Sequence, residues 1–207
     1  MNKNRGFTLI EIAIVLTIIG ILLGAIMLRS GGVIDNAKTT DTITIIKDLT
    51  AATGDFKNRY HYLPGDLPNA GNDIPGITGA TFSGISCDIS PPGTIGNGQI
   101  DPGAETTCAS VELAQAGLIK GGTNGIFTKN NMSSTPDVLI TARRAGSTLP
   151  ASVINEIELI NQPCETVMGI DSKMDDGNFT TGNITASVAS CTPKGSNDPV
   201  PYVDIAL

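Results

Sequence analysis

An apolar run from Ile12 to Leu28, headed by a single acid at Glu11, constrains this chain more than any other feature. Phe7 to Leu28 is 22 residues, and as an α-helix it would rise about 33 Å, enough for the hydrocarbon core of a bilayer. Lys3 and Arg5 precede it and no acid lies between Met1 and Ile10, so the N-terminus is expected in the cytoplasm and the rest of the chain beyond the membrane. A carboxylate inside such a segment is costly in hydrocarbon, and Glu11 therefore calls for a partner. The run leads into Ile26-Met27-Leu28-Arg29-Ser30-Gly31 with no Ala-x-Ala site, unlike a secretory signal cut at the end of its apolar stretch.

The remaining chain suits one globular domain. A net charge of −7 and no basic stripe argue against nucleic-acid binding, which needs clustered Lys and Arg. Eight aromatic residues, no Trp, 24 Gly and 12 Pro indicate a loop-rich domain with a modest core that gains from covalent staples. Cys87, Cys108, Cys164 and Cys191 can supply them outside the cytoplasm, where disulfides persist. Three pairings are open from sequence. Sequential pairing is preferred, because each pair brackets its own Gly-rich excursion. Closing the loop from Cys164 to Cys191 would contribute about 3.5 kcal/mol on the chain-entropy view. Cysteine-based metal binding is disfavoured by the lack of Cys-x-x-Cys and by a lone histidine, His61.

Lys3-Asn4-Arg5-Gly6-Phe7-Thr8-Leu9-Ile10-Glu11, followed by the apolar run, resembles the prepilin signature of type IV pilins and type II secretion pseudopilins. The resemblance covers about the first 30 residues. It implies cleavage after Gly6 by a membrane prepilin peptidase, methylation of the new amino terminus at Phe7, and pairing of Glu11 with the amino group of a neighbouring subunit. Physical chemistry agrees. Cleavage turns the Phe7 nitrogen into an ammonium about one helical turn from Glu11, where it opposes the helix dipole. A contact between subunits would relieve both that ammonium and the lone acid. Gly20 and Gly24 form a Gly-x-x-x-Gly pair that permits close approach of a second helix, although glycine is also simply common in membrane helices.

The resemblance also implies an α+β, pilin-like fold: a long N-terminal helix, membrane-spanning in its first half, packed on an antiparallel sheet, loop-rich and disulfide-stapled. The chain then divides into a cleaved leader (1–6), a transmembrane and assembly segment (7–28), an amphipathic continuation of the helix (29–63) and an extracytoplasmic globular domain (64–207). Expected partners are further copies of the chain, related pilins or pseudopilins, the prepilin peptidase, an inner-membrane assembly platform and the lipid bilayer. The expected location is a single-pass inner-membrane protein with its globular domain in the periplasm, and then a periplasmic or cell-surface filament. The function expected is a structural subunit, not an enzyme. The alternatives are a type II secretion pseudopilin and, in a different class, a monomeric membrane-tethered binding module. The bracket from Cys164 to Cys191 resembles the C-terminal disulfide loop of type IV pilins and favours a pilin.

Beyond Ser30-Gly31-Gly32, where a bend is expected, Ile45, Leu49, Ala52, Phe56 and Tyr60 form one face of an amphipathic helix. Asp55 and Arg59 stand at a favourable i, i+4 spacing. Pro64 and its neighbours end the helix, and residues 64–104 read as a long loop region. A helix capped by Ser110 is predicted over 111–120, stopped by Gly121-Gly122. Further predictions are a strand at 137–142, a helix over 151–160, a helix from Pro163 to about Lys173, a strand at 183–188 and a closing strand at 201–205.

Asp171, Asp175 and Asp176 gather around a turn glycine and could ligate calcium through oxygen, without matching EF-hand spacing. A plain Asp-Gly turn is the simpler reading. Asn97, Asp101 and Glu105 form a still weaker calcium-like loop. No other cofactor is expected, and no catalytic set or phosphate loop stands out around His61 or the glycine-rich segments.

Overall fold

The computed structural model describes residues 8–27, 30–77, 81–82, 85–87, 95–119, 137–191 and 199–207. The chain divides into two compact units, residues 1–38 and 39–207. The first contains helix α1 (Leu9–Met27) and the opening of α2 (Ser30–Tyr60). Ser30-Gly31-Gly32, where a bend was expected, already belong to the helical backbone of α2.

Within the second unit, α2 buries Thr39, Thr42, Ile46, Leu49, Ala52, Thr53 and Phe56, a stripe recurring every three or four residues. The predicted face is therefore correct, with Ile46 rather than the half-buried Ile45 at its upper end. Phe56 is fully buried and its ring centroid lies 4.6 Å from that of Tyr60. Thr39 packs so closely on Gly169 that a Cβ there would stand 2.8 Å from the Thr39 hydroxyl. Asp55 and Arg59 do not form the expected pair among the described interactions. The Arg59 guanidinium instead donates 3.0 Å to the Ala116 carbonyl and lies 5.8 Å from the Tyr60 ring centre. His61 ends the helix in the left-handed region, at φ 65°.

The loop region contains a short helix, α3 (Ala70–Asp73), and a minimal hairpin, β1 (Thr81–Phe82) with β2 (Ile85–Ser86). It carries core as well as connections, since Leu67, Ala70, Ile74, Ile77 and Ile100 are all buried. The next helix, α4, spans Ala104–Gln115 rather than 111–120. Ser110, expected as its cap, is fully buried in mid-helix and donates to the Thr107 carbonyl. The helix stops at Gln115, six residues before the expected Gly121. Gly117, at φ +73°, donates to Ala114, and Leu118 donates back to Leu113, a Schellman ending that a side chain at 117 would strain. Apolar spacing alone could not place this end, because almost every residue from Glu105 to Leu113 is buried.

Strands β3 (Asp137–Ala142), β4 (Asn155–Pro163), β5 (Ile184–Ala186) and β6 (Pro199–Ala206) form an antiparallel sheet in the order β3-β4-β6-β5. β4 replaces the helix predicted over 151–160. Glu156 and Glu158 alternate with Ile157 and Leu159, a period of two that sheet pairing stabilises on both sides and that overrides the helical propensity of Glu and Leu. The inner face joins Val138, Ile140, Ile157, Leu159, Val203 and Ile205 into the core. Helix α5 (Cys164–Met174) follows β4 directly and packs on β4, β5 and β6; it matches the helix predicted from Pro163 to about Lys173, with Pro163 as its N-cap. The closing strand is longer than expected and β5 shorter. Disulfides join Cys87 to Cys108 and Cys164 to Cys191, the sequential arrangement.

Candidate functional site: the N-terminal segment and the carboxylates

α1 is apolar on every side, and between Leu9 and Met27 the only charged residue is Glu11. Ile10, Leu16, Ile21 and Leu22 are each more than half exposed and point in different directions around the axis, the pattern of a helix whose whole surface must be covered by lipid or other helices. Thr17 satisfies its own hydroxyl by donating to the Ala13 and Ile14 carbonyls. Gly20 and Gly24, one turn apart, leave bare surface where an added Cβ would meet nothing within 4 Å. Among the described residues no helix is long and apolar enough to cross a membrane. The 19 residues of α1 rise about 28 Å, just short of a core of about 30 Å. Phe7 and Leu28, the ends of the expected span, lie outside the described residues, as does Gly6.

Glu11 has a local role that the sequence reading missed. Its carboxylate accepts from the Thr8 backbone N–H at 2.7 Å and from the Thr8 hydroxyl at 2.8 Å, while the Glu11 N–H approaches the Thr8 hydroxyl at 3.4 Å. This reciprocal arrangement is a capping box, and Thr8-x-x-Glu11 is its sequence signal. One carboxylate oxygen closes the helix start and the other has no described hydrogen bond, so the acid can cap its own helix and still face a second donor.

In the second unit, buried acids form three groups. Asp66 is fully buried, and its carboxylate accepts from the backbone N–H groups of Gly96, Asn97 at 3.2 Å and Gly98 at 2.8 Å. This loop contains the weaker calcium-like motif, and it turns N–H donors inward, a polarity suited to a carboxylate rather than a cation. Next to it, Glu112 accepts from Gly65 N–H at 2.7 Å. Burial pushes the Glu112 carboxyl up to about 8, aided by Asp66 and Glu105 and opposed by that hydrogen bond. Gly65 has φ +87°, and a Cβ there would strike the Glu105 carbonyl.

The second group lies on the sheet face opposite the apolar core. Arg144 contacts Asp204 at 2.8 Å and Glu158 at 3.2 Å, its backbone N–H donates to Glu156 at 2.9 Å, and its guanidinium lies 4.5 Å from the Tyr202 ring centre. Burial pushes Glu156 up to about 7, with Asp204 and Glu158 adding to the rise.

The third group is Asp171, Asp175 and Asp176, which the structure brings together as anticipated: one carboxylate oxygen of each lies within 4.8 Å of the others. Asp171 is fully buried, and neither of its oxygens has a hydrogen-bond partner. Burial and its two neighbours push it up to about 6; the Gly177 N–H opposes this from beyond hydrogen-bonding geometry. His61 is exposed at the end of α2.

Residues 1–27 match the prokaryotic N-terminal methylation motif, the signature of type IV pilins and pseudopilins. The motif supports a pilin-like or pseudopilin-type substrate of a prepilin peptidase. No curated protein and no solved structure matches the chain.

Proposed function

We propose that this chain is a pilin or minor pilin of a type IV filament, anchored in the inner membrane through residues 7–28, cleaved after Gly6 and polymerised through α1. The observation that carries this reading is the methylation motif joined to a helix that is apolar all round and carries one acid. Such a helix has two stable surroundings, lipid and a bundle of its own kind. Glu11, held at the helix start by Thr8, meets the methylated Phe7 amino group of an adjacent subunit, and the bare surface at Gly20 and Gly24 lets neighbouring helices approach. Polymerisation thereby moves the helix from one apolar solvent to another.

The Cys164–Cys191 bridge, which closes the end of the chain around α5 and β5, favours a pilin over a pseudopilin. Intact-mass measurement on protein from native membranes tests the reading. The expected species begins at Phe7 and carries one added methyl group. A chain still beginning at Met1 would support the membrane-tethered monomer instead.

A further inference from the structure

Two acidic trios in the second unit each bring one oxygen per carboxylate within 4.8 Å of the others, and they differ in their cationic partners. Glu156, Glu158 and Asp204 share Arg144. Asp171, Asp175 and Asp176 have no ion pair to a cationic side chain among the described residues, although Asp171 is as deeply buried as Glu156. We propose that Asp171, Asp175 and Asp176 form a binding site for a divalent cation of hard, oxygen-seeking character, and that calcium is the ion it takes.

Asp171 supports this first. A buried carboxylate with both oxygens unpartnered is costly unless something supplies the missing positive charge. The other two carboxylates are already fixed in place by donors that leave one Asp175 oxygen without a described hydrogen bond and only one bond on each Asp176 oxygen, so lone pairs remain for a ligand. Asp175 accepts through one oxygen from the Asn183 and Ile184 N–H groups at 2.7 and 2.8 Å. Asp176 accepts from Asn178 N–H at 2.8 Å and from the Thr181 hydroxyl at 2.6 Å.

The donor set also selects the ion. Three carboxylates with no histidine, and with both nearby cysteines locked in a disulfide, disfavour zinc and copper and suit calcium or magnesium. Asp171 is buried, Asp175 half-buried and Asp176 exposed, so the ligands close one side and leave the other to water. That irregular shell is tolerated by calcium and resisted by magnesium, which demands near-ideal octahedral geometry. A bound ion would tie the end of α5 to the start of β5, inside the stretch that the Cys164–Cys191 bridge encloses.

The full chain in non-ionic detergent, stripped with a chelator and then dialysed free of it, is titrated with calcium chloride by calorimetry and melted with and without the ion. The expected result is one calcium per chain with a dissociation constant of about 10⁻³ M or tighter, and a higher melting midpoint. Asp171→Asn and Asp176→Asn should each weaken binding at least about tenfold by lowering the ligand charge. In chelator the Asp171→Asn chain should melt at or above the unaltered chain, because it no longer buries an uncompensated charge. In calcium the order should reverse, and this exchange separates ligation from a structural role. Asp176 is exposed, so its variant tests ligation independently of folding. No heat at millimolar calcium, binding unchanged in both variants, or tighter binding of magnesium would overturn the proposal.

Discussion

The N-terminal helix and the sheet unit both contain acids in apolar surroundings, and they treat them in opposite ways. In α1 a single carboxylate sits on an exposed helix, and among the described residues its hydrogen bonds go only to the residue that starts that helix. In the sheet unit, buried acids meet different compensators: inward-turned backbone N–H groups for Asp66, a guanidinium for Asp204 and Glu158, and a bound proton for Glu112. These acids are compensated from within the chain, whereas Glu11, which the proposed function pairs with a neighbouring subunit, keeps one oxygen with no described hydrogen bond.

The sharpest way to break that comparison is to separate cap from charge at Glu11. Glu11→Gln retains a capping side chain and loses the charge, and Thr8→Val does the reverse. Filament yield should fall to background in Glu11→Gln, since one partner of a buried pair is typically worth about 3 to 5 kcal/mol. It should persist in Thr8→Val, which costs only about 1 kcal/mol at the helix start. Electron microscopy of sheared filaments reads the outcome, and normal filaments from Glu11→Gln would show that the acid serves its own helix alone.

Asp66 comes next in size. Asp66→Ala removes the buried carboxylate that gathers the N–H groups of Gly96 and Gly98, and should lower unfolding free energy by about 2 kcal/mol in denaturant titration. A loss under about 1 kcal/mol would mean that solvent reaches those amides.

The smallest effect tests the proton. Glu112 and Glu156 are raised from an ordinary 4.5 to about 8 and about 7, so between those limits the folded chain binds more protons than the unfolded chain. Stability should therefore be greatest in mild acid and decline as pH rises from about 4.5 to 8, the reverse of a salt-bridged carboxylate. Glu112→Gln keeps an acceptor for Gly65 N–H, and should flatten this slope and raise the melting midpoint at pH 8 by a few degrees. A steeper slope in that variant would exclude Glu112 as the site of the proton.

The sequence by itself determined the parts governed by local rules. The apolar run with its single acid required a helix with no polar face, the three- and four-residue rhythm through Leu49, Ala52 and Phe56 marked the buried side of α2, and Pro163 opened α5. The Thr8-x-x-Glu11 cap and the alternation of Glu156 to Leu159 were equally legible, but each was hidden by a stronger pattern: the membrane-like run in one case, helix-favouring residues in the other. Only the tertiary structure decided where α4 begins and ends, because burial on all sides erases periodicity. It alone also decided which acids meet. Asp66 faces a loop about thirty residues away, and Arg144 reaches a strand sixty residues on. Such pairings depend on chain closure, which no local pattern encodes, and they determine whether a buried carboxylate receives an amide, a guanidinium or a proton.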